Sequence, residues 1–134
     1  MKPVALLLVA LPSGCAAYNG IFGVCEGATY SSYVGQSIPD NNDTGVTSTI
    51  SVPLTGYPDG IGLRLNLEHE LESDLQIRLA HGSSVIEIED VGDHGPFHQW
   101  DSMDVGGTWT ITVADRYAAD TGYWTDWELT VCGE

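Results

Sequence analysis

Bulky apolar side chains alternate with polar ones in several short runs along the chain. The clearest run covers residues 61–67, where Ile61 and the leucines that follow are separated by Gly62, Arg64 and Asn66. A helix would spread these leucines around its surface, whereas a strand places them on one face. The pattern predicts short, half-buried antiparallel strands. Similar runs occupy residues 46–52, 75–79, 85–89, 109–113 and 127–131.

The stretch Gly107–Cys132 contains two of these runs and predicts a hairpin that closes the domain. Trp109 begins the apolar face of its first strand, and Trp127 begins that of its second. The loop between them supplies the small and polar residues of a turn, including Asp115 and Asp120. We expect the two strands to pair with each other. The loop between them either is purely structural or holds a cation.

Turn-forming residues separate the remaining runs. Gly, Pro, Asn and Asp cluster at residues 39–45 and 57–60, and an acidic stretch spans residues 90–104. We expect that stretch to be a long loop whose Phe97 and Trp100 cover the open end of the strands. Several short strands at this spacing favour an all-β fold, an antiparallel β-sandwich.

The N-terminus predicts export. Lys2 precedes an apolar run at residues 4–11 and then small residues, which is the order found in a signal peptide. The run is shorter than the roughly 20 apolar residues that cross a bilayer. We assign residues 1–14 to the signal, residues 15–37 to a tether and residues 38–134 to the folded domain.

Two processing sites fit this N-terminus. The segment Leu11–Cys15 resembles a bacterial lipoprotein box, although Pro12 departs from the leucine preferred there. In such a box Cys15 becomes the lipidated first residue, and the protein is anchored in the cell envelope by that lipid alone. The alternative is ordinary cleavage after Ala17, which yields a secreted protein.

The cysteines support export under either processing. Three cysteines are an odd number for an exported protein. Lipidation or removal of Cys15 leaves Cys25 and Cys132 as a pair, and we expect a disulfide bond between them. The segment Ala16–Ser37 is rich in Gly, Ser, Tyr and Ala with no sustained period, which is typical of a flexible tether. Alternatively, its tyrosines pack on the edge of the domain.

The chain is strongly acidic. Its 19 Asp and Glu residues outnumber its 4 Lys and Arg residues, and the formal net charge is −15. A phosphate backbone binds clustered basic side chains, so we expect no nucleic-acid partner. The same charge suits a solvated surface, the binding of divalent cations or a saline environment.

Three separated segments resemble the P domain, also called the Homo B domain, which accompanies kexin- and furin-like subtilases of the proprotein convertase family and many bacterial secreted proteases. The first is the opening Ile38–Asn41, and the second is His69–Leu75, in which Glu72-Ser73 replaces an Arg-Gly of the family. In the third, Ala119 replaces a glycine. The matching residues of the third segment are Gly107, Trp109, Ile111, Val113, Asp115, Asp120, Gly122, Trp127, Leu129 and Val131.

The resemblance implies a jelly-roll-like antiparallel β-sandwich that stabilises or regulates a subtilisin-like serine protease. Nothing in the chain resembles the catalytic motifs of that family, so we expect no peptidase activity from this chain. The expected partner is a subtilisin-like protease or an envelope component. Two alternatives remain open: a surface module that binds carbohydrate or protein, and a small metal-dependent hydrolase.

Calcium is the expected cofactor. Aspartates fall on predicted turns and strand ends, where carboxylates can bind calcium, and several P domains bind calcium through such loops. The alternative is that these residues are solvated turn-formers and caps. The candidate ligands are Asp40, Asp43, Asp74, Asp115 and Asp120.

A zinc site is a weaker candidate. His94 and His98 lie four positions apart beside acidic residues, but this spacing forms one metal-binding face only on a helix. Gly95-Pro96 between them rules out a regular helix, so we expect ordinary loop histidines.

The tryptophans suggest a carbohydrate-binding surface as another candidate. Trp109 and Trp127 are in phase with the apolar stripes and are expected in the core. The candidate surface contacts are therefore Trp100 and Trp124.

Overall fold

The computed structural model describes residues 25–89, 91–119 and 121–133. Within these ranges the chain forms eight β-strands and a short 3₁₀ turn at Glu72–Asp74. Each alternating run of the sequence falls in one of these strands, except that Glu89 follows the end of β5. They are β1 (Gly27–Ile38), β2 (Asn42–Val52), β3 (Ile61–His69), β4 (Leu75–His81), β5 (Ser84–Ile88), β6 (Gly92–Phe97), β7 (Gly107–Asp115) and β8 (Gly122–Cys132).

The strands form two four-stranded antiparallel sheets that pack as a sandwich. One sheet has the order β1-β8-β3-β6 and the other has the order β2-β7-β4-β5. Only the connection between β4 and β5 stays within one sheet among the described strands, and every other connection crosses to the facing sheet. This is the strand order of a jelly roll. The predicted fold class is confirmed.

The predicted hairpin between β7 and β8 is wrong, because the two strands lie in different sheets. β7 pairs with β2 and β4, whereas β8 pairs with β1 and β3. Both strands are therefore central, and each has one face on the core. Apolar alternation predicts which face of a strand is buried, but it does not predict which strand lies beside it.

Apolar side chains from both sheets fill the space between them. The inward residues of β3 and β8 meet those of β4 and β7, and all of these are nearly inaccessible to solvent. Burial of each large apolar side chain stabilises the fold by roughly 1.5–3 kcal/mol. The largest fully buried side chains are Trp100, Trp109, Trp124, Trp127, Ile61, Leu63, Leu65, Leu79, Ile111 and Leu129.

Trp124 was expected on the surface, but the structure buries it completely, with 0% exposure. Strict alternation from Trp127 would point Trp124 outward. The register between β3 and β8 shifts here, since Asn66 pairs with Asp126 and Leu67 pairs with Trp124. One additional residue in β8 inverts the alternation, as a β-bulge does. Both tryptophans therefore face the core.

Trp100 was also expected as a surface contact, and it is also 0% exposed. Its indole N–H donates to the carbonyl of His81 at 3.1 Å, and its ring meets that of Trp109 edge-on at 4.8 Å. The expectation that Trp100 covers an open end of the strands is confirmed. The stretch around it is not all loop, because β6 pairs with β3 as an edge strand. The sequence of β6, GDHGPF, lacks the alternation that would have predicted it.

His81 packs against the same tryptophans. Its ring stacks on Trp109 with centroids 4.0 Å apart, and its two nitrogens lie 2.8 and 2.9 Å from the carbonyl oxygens of Thr108 and Asp104. His81 thereby fastens the loop after β6 to the body of the sandwich.

The predicted tether is wrong for residues 27–37, which belong to β1. This strand pairs with β8 from Gly27 opposite Cys132 to Ile38 opposite Gly122. Its sequence shows little apolar alternation because it is an edge strand whose inward positions carry residues such as Tyr30 and Ser32. The alternative, in which tyrosines of this segment pack on the domain, is confirmed for Tyr30, which packs against the core.

The predicted disulfide joins Cys25 to Cys132, with a Cα–Cα distance of 5.6 Å. It fixes the start of β1 to the end of β8 across a sequence separation of 107 residues. The export signal, Cys15 and Asp120 lie outside the described residues, so the predictions about them stand as predictions. In the described ranges no helix is long and apolar enough to cross a membrane.

The disulfide generates a stability prediction. Replacing both cysteines, Cys25→Ser with Cys132→Ser, is expected to lower the free energy of unfolding by roughly 4 kcal/mol, because it frees a long loop in the unfolded chain. Urea unfolding of the wild-type protein and the double variant, with and without a reductant, measures this difference in the free energy of unfolding. The reductant should destabilise the wild-type protein and leave the double variant unchanged. Equal stability of all four samples would contradict the prediction.

Candidate functional site

The turns that carry most of the candidate ligands lie at one end of the sandwich. Ile38 and His69 both pair with Gly122, and Asn42 and Leu75 both pair with Asp115. The turns at residues 39–41 and 70–74 and the described residues 116–119 and 121 therefore lie together. We refer to these turns, with the strand ends that they join, as the acidic end.

A buried His–Asp pair braces the acidic end. The Nε2 atom of His69 in β3 lies 2.8 Å from Oδ2 of Asp115 in β7, and neither side chain is accessible to solvent. The backbone N–H of Leu71 donates to Nδ1 of His69 at 3.0 Å. A backbone N–H can only donate, so Nδ1 carries no proton and Nε2 donates to the carboxylate. The pair joins the two sheets.

The second oxygen of Asp115 is also occupied. Its Oδ1 atom accepts the backbone N–H of Tyr117 at 3.1 Å, which fixes the turn after β7. A general base needs a nitrogen within hydrogen-bond reach of the group it deprotonates. Both nitrogens of His69 are already bonded within the fold. The pair therefore positions the turns of the acidic end.

A groove opens beside this pair on the side of the β1-β8-β3 sheet. It has a volume of about 580 Å³. Two of its carboxylates are held in place by turn residues: Glu70 accepts the N–H of Thr121 at 2.9 Å, and Asp40 accepts the N–H of Ala119 at 3.2 Å. The groove is lined by Ser37, Ile38, Asp40, Glu68, His69, Glu70, Thr121, Gly122 and Tyr123.

The structure brings four of the five candidate calcium ligands to the acidic end, and it gives Asp40, Asp43 and Asp115 different partners. Asp40 lies in the groove, Asp74 and Asp115 are buried, and Asp43 pairs with Arg116 at 3.5 Å. Among the described residues, no group of three or more acidic, histidine or cysteine side chains is arranged to hold a metal ion. Asp120 lies outside those residues, so calcium binding remains a prediction.

The histidines weighed for zinc have separate partners as well. His94 lies in β6, and its Nε2 bonds the carbonyl of Val91 at 3.2 Å. His98 follows β6, and its Nδ1 bonds Asp101 at 2.7 Å. The prediction that both histidines lie in a loop is wrong for His94, which lies in β6.

Two exposed tyrosines beside the groove were not singled out from the sequence. Tyr33 is 75% exposed and Tyr123 is 44% exposed. A hydrogen bond between their hydroxyls is the main cause that raises the pKa of Tyr123 above its ordinary value. Glycine inside a strand often marks a bulge, so Gly35 was the available signal that side chains here leave the regular alternation.

The described arginines do not neutralise the groove. Arg64 forms two hydrogen bonds to Asp93, at 2.7 and 3.2 Å, and this carboxylate raises the pKa of the guanidinium. The other described arginines pair with acidic residues elsewhere: Arg78 with Glu87 at 3.7 Å and Arg116 with Asp43 at 3.5 Å.

Comparison with solved structures supports the fold. The sandwich is similar to part of the serine protease of Aeromonas sobria, with a TM-score of 0.64 and 14% identity over 78% of this chain and 26% of the protease. A chain of the complex between that protease and the chaperone ORF2 is similar with a TM-score of 0.64 and 12% identity, over 81% of this chain and 27% of that chain. This chain spans about a quarter of the length of each.

The structure of FLHE is similar along nearly its whole length. Its TM-score is 0.56 at 15% identity, over 76% of this chain and 91% of FLHE. No protein-family model and no curated protein matches the chain. At these identities the comparisons establish the fold, and the resemblance to the P domain remains a prediction.

The buried pair generates the first prediction for this site. Asp115→Ala is expected to lower the free energy of unfolding by about 2–3 kcal/mol, because it leaves the N–H of His69 and that of Tyr117 without their acceptor. Asp43→Ala is the matched control, since its side chain is 80% exposed, and a change within about 0.5 kcal/mol is expected. Urea unfolding measures both. Equal effects of the two substitutions would contradict the prediction.

Calcium gives a second prediction. Weak extracellular sites bind calcium at about 10⁻⁴–10⁻³ M, so 10 mM calcium should stabilise the native state by about 1.4–2.7 kcal/mol. The melting temperature of the purified chain should therefore rise with calcium more than with magnesium, and Asp120→Asn should reduce the rise. A melting temperature that neither calcium nor a chelator changes would contradict the prediction.

Proposed function

We propose that this chain is a non-catalytic β-sandwich module that acts with a subtilisin-like serine protease, as an accessory or stabilising partner. The observation that carries the proposal is the match of 78% of the chain to 26% of the Aeromonas sobria serine protease. Most of that enzyme has no counterpart in the sandwich. The P-domain resemblance of the sequence points to the same association.

The chemistry of the histidines supports a non-catalytic role. Nucleophilic catalysis by serine needs a histidine in hydrogen-bond contact with the serine hydroxyl. In the described part of the chain, none of the histidine hydrogen bonds involves a serine. His69 and His81 have partners on both ring nitrogens.

The two alternative functions, carbohydrate binding and metal-dependent hydrolysis, have less support than an accessory role. The burial of Trp100 and Trp124 removes the two surface residues on which a carbohydrate-binding platform depended. A metal-dependent hydrolase would need a cluster of ligands, and the described residues contain no such group. A role as a binding partner uses the features that are present, namely an open groove and a charged surface.

The proposed setting is outside the cytoplasm. The Cys25–Cys132 bond supports an oxidising, exported environment. The N-terminal sequence adds a signal peptide and a lipid on Cys15, which would hold the sandwich at the cell envelope.

Affinity capture tests the proposal. The mature chain is immobilised and exposed to extract and culture fluid of the source organism, and bound proteins are identified by mass spectrometry. An unrelated domain of equal size and negative charge serves as the control for ion exchange. We expect recovery of a subtilisin-like protease above that control, and a longer half-life of its activity at elevated temperature when the chain is added.

Two results would contradict this function. Recovery of polysaccharide or envelope material without a protease would identify a surface-binding module instead. Hydrolysis of a peptide library by the purified chain, abolished by replacing a single serine, would identify an enzyme.

A further inference from the structure

Two tyrosines stand exposed together on the outer face of the β1-β8-β3 sheet. Tyr33 in β1 lies opposite Asp126 and Tyr123 in β8 lies opposite Ser37, and the two side chains are close enough for Tyr33 to raise the pKa of Tyr123. Their exposed fractions are 75% and 44%, although large aromatic side chains are usually buried. The two rings therefore offer a ligand an exposed aromatic surface.

Local backbone geometry places the two rings side by side. The register between β1 and β8 shifts between Tyr33 and Gln36, where Gly35 adopts a φ of +60°. A Cβ atom on Gly35 would lie 2.5 Å from atoms of the Tyr33 ring. The ring therefore occupies the space that a side chain at position 35 would need, and it extends along β1 toward Tyr123.

Carboxylates surround this tyrosine pair. Glu68 pairs with Tyr123 across β3 and β8, and Asp126 pairs with Tyr33 across β1 and β8. The groove that begins at Tyr123 adds the carboxylates of Asp40 and Glu70. The described arginines contact Asp93, Glu128, Glu87 and Asp43, none of which lines the groove. The charge of Arg64 also acts on Asp126, outside the groove.

We propose that Tyr33, Tyr123 and the groove carboxylates form a docking site for an extended, cationic segment of a partner protein. An arginine or lysine side chain would lie over the tyrosine rings, where the aromatic faces attract a cation. The next basic side chain along the segment would reach Asp40, Glu68 or Glu70. An acidic segment is excluded by repulsion, because Asp40, Glu68 and Glu70 line the groove and none of the described arginines does.

This inference rests on the proposed function, since the segment would belong to the protease partner. It adds the chemical class of the segment and the face of the sandwich that receives it. The groove, about 580 Å³ in volume, is large enough to hold side chains of a peptide.

A labelled tetra-arginine peptide tests the site by fluorescence polarisation. The uncharged tetra-citrulline peptide is the control ligand, because it keeps the shape of arginine and loses its charge. We expect tetra-arginine to bind and tetra-citrulline not to bind. The double variant Tyr33→Ala with Tyr123→Ala should weaken tetra-arginine binding by about tenfold.

The variants distinguish binding of the peptide at this site from its diffuse electrostatic attraction to an acidic protein. Replacing tyrosine leaves the net charge unchanged, so diffuse attraction predicts no loss of affinity. Tyr57→Ala is the matched control, because Tyr57 is 72% exposed and does not line the groove, and it should bind like the wild-type chain. Equal affinity of the double variant and the wild-type chain would overturn the proposal.

A charge variant keeps the proposal testable if the double variant fails to fold. Glu68→Gln leaves both tyrosines in place and should weaken binding about threefold, as expected for one exposed ion pair. Glu26→Gln removes the same charge from an exposed position outside the groove and should have a smaller effect. Equal effects of the two substitutions would overturn the proposal.

Failure of this proposal is distinguishable from failure of the proposed function. The peptide assay contains no protease, so binding at the tyrosines without capture of a protease would support the site and reject the protease association. Capture of a protease that is equally strong with the Tyr33→Ala and Tyr123→Ala double variant would support the association and reject the site.

Discussion

The single additional residue in β8 between Trp124 and Asp126 determines which side chains of this central strand face the core. Without it, the alternation set by Trp127 would turn Trp124 outward and Tyr123 inward. With it, Trp124 fills the core at one end of the sandwich, and Tyr123 stands on the outer face. The neighbouring strand β1 shifts register at the same level. The buried indole and the exposed phenol are thus two results of one backbone irregularity.

The two sheets are held together by polar contacts as well as by apolar packing. His69 of β3 donates to Asp115 of β7, and the indole N–H of Trp127 in β8 donates to the hydroxyl of Ser48 in β2 at 2.9 Å. Each of these contacts satisfies a buried polar group that would otherwise destabilise the fold. The first also fixes turns of the acidic end. The groove thereby has walls that are anchored in the core.

Sequence periodicity predicted the strands and their buried faces well, because a side chain repeats its orientation every two residues in a regular strand. Residues such as Leu63, Leu65 and Ile111 lie where the alternation placed them. The disulfide was predictable from the number of cysteines. The sequence was compatible with two positions for Trp100. A tryptophan in a loop can be buried over the end of the strands, or it can be exposed as a surface contact.

The features of the fold and the site that were not predicted depend on contacts between residues far apart in sequence. The partner of β7, the strand β1 and the direction of Trp124 are set by pairing across the sheets, which no short window of sequence contains. The His69–Asp115 pair has a separation of 46 residues, and nothing in the local sequence around either residue predicted that the two side chains would contact each other. The tyrosine pair could not be predicted for the same reason, because residues 33 and 123 come close only after the sheet has formed.

We propose the tyrosine pair and the adjoining groove as the surface through which this sandwich binds a partner. NMR chemical-shift mapping tests it most directly, with isotope-labelled chain titrated by the tetra-arginine peptide. We expect the largest shifts at residues 33–37, 68–70 and 121–123. Shifts of equal size at Glu26 and Asp59, outside the groove, would contradict it by showing that the peptide is attracted to the acidic surface as a whole.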